Sequence, residues 1–232
     1  MLILSIDTST RGCSVALHAD GQLLASYDLL TDRSSAAMLT TLMKNAVEQA
    51  GHTLVDLDAV AVAKGPGSYT GLRVGVSTAK GLCYALDKPL LAVPTLAAMT
   101  VQLTSYYPDS YLFCPMIDAR RMEVFSAVYD SHLREVRPTQ AVILDQDSFA
   151  GLLAEHAVVF FGDGAAKCRP LLETHANAHF PARLVEPSAR TVGQLASELF
   201  PSGQFEDLAS FEPYYLKDFM GTKPRKKGLP AV

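Results

Sequence analysis

Cysteine is scarce in this sequence and never closely spaced. Only Cys13, Cys83, Cys114 and Cys168 occur, with no C-x-x-C pair. That argues against a disulfide framework and predicts reduced, mostly buried thiols in a cytosolic protein. No apolar run approaches the ~20 residues of a membrane span. The opening MLILSIDTST is only briefly apolar, meets Asp7 early and lacks a basic flank, so it does not read as a signal peptide. A soluble, cytoplasmic chain with no membrane partner is expected. Positive charge is not in excess either: the formal net charge is −4. Proteins that grip nucleic acid alone usually present a basic surface, so any RNA connection is expected to run through a partner. Low-complexity tracts are missing. With 49% hydrophobic and 19% charged residues, the 232-residue chain is long enough for one large domain or two lobes with their own cores.

What is present is a grammar stated twice. Residues 2–6 (LILSI) form an apolar run ending at Asp7, as a buried strand meets a loop. GCSVALH and QLLASYDL flank Ala19-Asp20-Gly21, a hairpin signal because a tight turn needs positive φ. A helix is predicted over about 34–50, stopped by Gly51. Its apolar face holds Ala36, Leu39, Leu42, Met43, Ala46, Val47 and Ala50, with Met38 at one edge. This stripe is wider than the ~100° of an ordinary surface helix. A strand follows at 59–63, then Gly65-Pro66-Gly67-Ser68-Tyr69-Thr70-Gly71, a second helix to about Leu86, and a strand at 90–94. In that helix Gly71, Gly75 and Ala79 recur every four residues. Each helical glycine costs ~1 kcal/mol relative to alanine, so something must approach this groove closely. The second half restarts with a strand at 111–117 ending at Asp118 and a hairpin partner at 122–129. A helix near 147–156, a strand at 157–161, Gly162-Asp163-Gly164, and helices near 165–176 and 191–200 complete it. Two α/β lobes are expected, 1–104 and 105–232, with the last segment packing back on the first lobe. The tail from Gly221 to Gly228 carries Lys223, Arg225, Lys226 and Lys227 and reads as a solvated end.

Three constellations could carry chemistry. Asp7-Thr8-Ser9-Thr10, with Asp118 in the matching place and Gly162 and Gly164 completing a cleft between lobes, could hold Mg²⁺ and nucleotide phosphates. Equally, both aspartates could simply cap loops. The Gly65–Gly71 loop before a helix is compatible with an anion cradle, but it matches neither G-x-G-x-x-G nor a Walker A loop. His175 and His179 are four apart, as metal ligands on a helix can be. However, Ala176 replaces the glutamate of H-E-x-x-H, and Pro181 ends the helix. No G-x-S-x-G marks a serine nucleophile.

Ile6-Asp7-Thr8-Ser9, the run Lys64–Leu82 (KGPGSYTGLRVGVSTAKGL), Met116-Ile117-Asp118-Ala119-Arg120 and Pro213-x-Tyr215-Leu216 together resemble the TsaB/YeaZ family over nearly the whole chain. The resemblance implies a two-lobed actin/Hsp70/sugar-kinase-like (ASKHA) α/β fold, with mixed sheets flanked by helices. It implies a non-catalytic scaffold that pairs with the catalytic subunit TsaD, is joined by the ATPase TsaE, and self-associates when TsaD is absent. That complex places threonylcarbamoyl on adenosine beside the tRNA anticodon, and this chain would touch tRNA only through the complex. The family pairs through its N-terminal helices, which here implies Met38, Leu39, Leu42, Met43, Gly71, Leu72, Gly75 and Ala79 as the interface. Asp7, Thr8, Ser9, Thr10, Asp118, Gly162 and Gly164 would line a vestigial nucleotide cleft, with no catalytic residue, metal or cofactor. Two departures from active relatives support that view: Arg33-Ser34-Ser35-Ala36-Ala37 lacks their H-x-x-x-H, and Ser9 stands where they often have glycine. The rival expectations are an active ASKHA-type ATPase or kinase, or a glycoprotease-like metallopeptidase.

Overall fold

The computed structural model describes residues 1–31 and 35–217, so the basic tail and Arg33-Ser34 lie outside the described residues. The chain opens with β1 (Leu2–Asp7), β2 (Cys13–Ala19) and β3 (Gln22–Leu29). The predicted hairpin turn is there: Asp20 and Gly21 have φ of 49° and 79°, the left-handed pair that matches strand twist. Then come α1 (Ser35–Gln49), β4 (Ala59–Gly65), α2 (Tyr69–Leu86), β5 (Leu90–Pro94) and α3 (Thr95–Thr104). The second half runs β6 (Leu112–Asp118), β7 (Glu123–Tyr129), β8 (Glu135–Ile143), α4 (Ala150–Glu155), β9 (Val158–Phe161), α5 (Ala165–Leu172), β10 (Ala178–His179) and α6 (Ala189–Leu199).

The strands form two five-stranded sheets of identical topology, ordered β3-β2-β1-β4-β5 and β8-β7-β6-β9-β10. In each, the first three strands are antiparallel and the last two parallel to the first. The mixed sheets and their helices are those of the two-lobed ASKHA architecture.

Helices α1 and α2 cover the outer face of the first sheet, enclosing a core of Leu4, Ile6, Val15, Leu39, Val47, Val62 and Val76. On the second sheet the shorter α4 and α5 help enclose Leu112, Met116, Leu152, Phe160 and Cys168. Between the sheets lies a third core, where α3 and α6 pack together. Each lies chiefly on the other half's sheet, α6 on β1 and β2 and α3 on β6. Two sequence expectations change here. Helix α5 ends at Leu172 rather than near 176, with Pro170 inside its last turn. His175 sits in a turn and His179 in β10, so the two do not share a helix face. No helix among the described residues is long and apolar enough to cross a membrane. All four cysteines are buried, and burial pushes Cys114 and Cys168 up to about 12.

Candidate functional site

Asp7, Thr8 and Ser9, where β1 runs into its loop, are buried. Asp7 Oδ1 accepts hydrogen bonds from Ser9 N (2.8 Å) and Ser9 Oγ (2.6 Å). Oδ2 has no partner among the described residues. Desolvation raises the Asp7 carboxyl to about 6 despite the two Ser9 bonds, and Asp28 adds to the rise. Thr8 Oγ1 donates to the Gly71 carbonyl (2.7 Å), and Ser68 N donates to the Ser9 carbonyl (2.7 Å). A Cβ on Gly67 would overlap the Ser9 carbonyl, and one on Gly71 the Thr8 carbonyl; at Gly75 it would meet the Thr8 hydroxyl. The glycine groove therefore has an occupant: the chain's own Thr8–Ser9 loop. The start of α2, capped by Ser68, is packed on backbone carbonyls rather than open to an anion.

Thr10 and Asp7 line a cavity with Gly12, Cys13, Ser14, Leu30, Glu186 and Pro187. Its volume is about 10 Å³, room for about one water. Asp118, Gly162 and Gly164 are not among its walls, so the seven residues expected to share a cleft do not line one cavity. Asp118 stands at the rim instead, with its side chain 42% exposed. Burial opposes its ionisation, but the Lys167 ammonium at 2.5 Å, the Arg120 N–H and Arg11 hold its carboxyl below the usual range. Its own N–H donates to Asp163 Oδ1 (2.9 Å). Gly162, at φ 99°, and Gly164 lie against the backbone of Met116 and Ile117, where they close the end of β6. Among the described residues no group of three or more His, Cys, Asp or Glu could hold a metal ion.

The β6–β7 turn carries an unusual backbone. Arg120 and Arg121 both adopt positive φ, 69° and 50°. For a residue with a Cβ this costs roughly 1–2 kcal/mol. Both are exposed.

The helical face expected to meet a partner needs correction. Leu39 (0% exposed), Met43 (4%), Leu72 (1%), Gly75 and Ala79 (0%) are buried. The broad stripe is broad because α1 and α2 pack on the sheet and on each other. Gly71 is half-buried under Thr8. Of the expected interface residues on α1, Met38, 40% exposed, and the half-buried Leu42 reach solvent. On α2 the outward stripe is Arg73, Ser77, Gly81 and Tyr84, with Tyr84 84% exposed.

Residues 29–171 match the family model described as "TsaD: tRNA N6-adenosine threonylcarbamoyltransferase". The tRNA threonylcarbamoyladenosine biosynthesis protein TsaB of Escherichia coli (strain K12) is 29% identical over 229 residues, 96% of this chain and 97% of that one. The TsaB of Bacillus subtilis (strain 168) is 35% identical over 147 residues, 62% of this chain and 63% of its own. The crystal structure of a Pseudomonas aeruginosa protein "with similarity to peptidase YEAZ" superposes with a TM-score of 0.78 at 27% identity, covering 93% of this chain and 99% of that one. The chain belongs to the TsaB/YeaZ family.

In this TsaB/YeaZ chain two sequence motifs far apart in order meet in space. The strap around Pro213–Leu216 crosses the Lys64–Leu82 run: Tyr214 N donates to the Lys64 carbonyl (2.7 Å), and Tyr215 packs on Tyr69 with ring centroids 4.7 Å apart. Lys80 Nζ holds the strap through the Phe211 carbonyl (2.9 Å). Beyond it Lys217 pairs with Glu123 at the start of β7, so the strap joins the two halves. The sequence led us to expect the last segment on the first lobe without naming these partners, which lie more than a hundred residues apart.

Proposed function

We propose that this chain is a non-catalytic TsaB-type subunit of tRNA threonylcarbamoyladenosine biosynthesis, acting as the obligate partner of a TsaD homologue, with a TsaE homologue supplying ATPase activity. The curated relatives carry that biosynthetic role in their names. The observation that carries the non-catalytic part is the filled first loop. Its Ser9 N–H is spent on Asp7, its carbonyls are covered by Gly67 and Gly71, and its cavity of about 10 Å³ is far below the ~300–1,000 Å³ of small-molecule sites. An ATPase would need that loop open for phosphate. The docking surface for TsaD, or for a second copy when TsaD is absent, is the outward side of α1 and α2, where Met38 and Leu42 of α1 and Arg73 and Tyr84 of α2 reach solvent. An apolar edge on two neighbouring helices is what a partner covers. tRNA reaches this chain inside the complex.

The test is reconstitution. Purified chain with Mg²⁺ and ATP is expected to show no turnover above buffer. Adding it to TsaD, TsaE, threonylcarbamoyl-adenylate and unmodified tRNA should restore modification that TsaD and TsaE alone do not give. A rate near 1 s⁻¹ from the isolated chain, in the ordinary enzyme range and lost in Asp7→Ala, would establish the ATPase reading instead.

A further inference from the structure

We propose that the β6–β7 turn and the cations around it form a contact surface for the phosphodiester backbone of RNA, so that this chain grips tRNA directly rather than only through its partner. The proposal rests on the reading of the chain as a subunit of a tRNA-modifying complex.

The whole protein is acidic, with a net charge of −4, yet its cations are not evenly spread. Arg120 and Arg121 form the turn itself, and Arg11 is close enough to act on Asp118. Lys167 and Lys217 complete the group. The carboxylates facing them are Asp118, Glu123 and Asp163, and the first two are neutralised by Lys167 and Lys217. Arg11, Arg120 and Arg121 are exposed and have no ion pair among the described residues.

The backbone argues that these arginines are kept for their side chains. Two successive left-handed positions suit glycine or asparagine, and the strain of holding arginine there has no return in packing. Backbone strain that packing does not explain points to a role outside the fold. Guanidinium groups present planar forks that match phosphate oxygens in pairs.

Among polyanions, RNA is the one the proposed complex handles.

The experiment uses the full chain assembled with its TsaD homologue and titrates unmodified tRNA by fluorescence anisotropy between about 50 and 200 mM salt. Glycine suits both turn positions, so Arg120→Gly/Arg121→Gly should melt no lower than wild type and co-purify with TsaD. Its tRNA affinity should fall about tenfold or more at low salt, and the slope of log affinity against log salt should shrink by about 2. Arg120→Lys/Arg121→Lys should restore most of the slope. An intact complex with unchanged affinity and slope overturns the proposal. So does binding of the wild type to phosphatidylserine vesicles but not to tRNA. If the wild type does not assemble with TsaD, the functional reading fails separately, and the chain alone is titrated at about 50 mM salt. A wild-type signal lost in the glycine variant then upholds the surface, and no difference overturns it.

Discussion

The two halves of the molecule share one strand order and end their central strands alike, β1 at Asp7 and β6 at Asp118, yet the two aspartates live in opposite conditions. Asp7 is buried with one oxygen unpartnered and its carboxyl raised to about 6. Asp118 stands at the surface, paired with Lys167 and held low. The covering helices differ as well: α1 and α2 have 15 and 18 residues, α4 and α5 only 6 and 8. A repeated topology thus constrains where a strand ends but not what its last carboxylate does. The first half has filled its loop with its own helix and extended its outer layer. The second has kept short helices and gathered charge at the rim.

The largest expected effect separates the two outer faces. Met38→Glu should leave the melting temperature of the isolated chain within a degree or two, since edge positions tolerate charge when solvated. In the complex the same carboxylate would be buried unpaired, which should weaken TsaD binding by about a thousandfold, roughly 4 kcal/mol. Ile143→Glu, at a 73% exposed position of the second half, should not change that affinity. Co-purification and calorimetric titration read both, and equal losses would erase the distinction between faces.

Next comes the contrast between the aspartates. The folded Asp7 carboxyl titrates near 6 against 3.8 unfolded, so the fold holds this proton more tightly than the unfolded chain. Stability should therefore fall by about 3 kcal/mol as pH rises from about 4 to above 6. Asp7→Asn should flatten that slope in denaturant titrations at a series of pH values. Asp118 has the opposite sign, its stabilisation being present above 3.8 and lost as pH falls through its lowered folded value. At an exposed site Asp118→Asn should cost less than about 1 kcal/mol at neutral pH.

A smaller effect tests the filled loop within a single helix. Gly71→Ala gains ~1 kcal/mol in helix propensity but drives its Cβ into the Thr8 carbonyl, an overpacking that costs ~1–3 kcal/mol or more. We expect a net loss of about 2 kcal/mol and a melting temperature lower by about 4–8 °C. Gly81→Ala, with open space around it, should instead stabilise by up to ~1 kcal/mol. Matching shifts in thermal melts would mean that Thr8 does not sit in the groove.

Much of this fold was legible wherever the signal was local. The Asp20-Gly21 turn, the strands ending at Asp7 and Asp118, and both long helices of the first half were read from apolar runs and turn residues. Helix α3 (TLAAMTVQLT) was not, because it is clasped between two sheets, with Thr95, Leu96, Ala97, Ala98, Met99, Thr100 and Leu103 buried. A helix buried on most sides shows no polar stripe to mark its period. Strand β8 (EVRPTQAVI) was missed as an exposed edge strand containing Pro138, in keeping with proline's confinement to edges. The candidate site was legible as motifs but not as geometry. Gly71 and Gly75 announced a close approach, and only the structure names Thr8 as what approaches. The burial of Leu39, Met43, Leu72, Gly75 and Ala79 was hidden for a related reason: periodicity marks a face as apolar without saying whether a sheet or a partner covers it.

The crossing of α6 onto the first sheet has a consequence for how the protein is made. Beneath it lie Ser5, Asp7, Ser14 and His18, nearly inaccessible in the folded chain, with Ser14 Oγ accepting from Ala189 N (2.7 Å) and the His18 ring packed under Gly193. A ribosome delivers β1 and β2 first and α6 some 170 residues later, roughly ten to thirty seconds at ~5–20 residues per second. For that interval the first sheet has α1 and α2 for one face and only α3, on β4 and β5, for the other. A ribosome stalled before residue 189 would therefore display the β1–β2 part of this face without the helix that covers it.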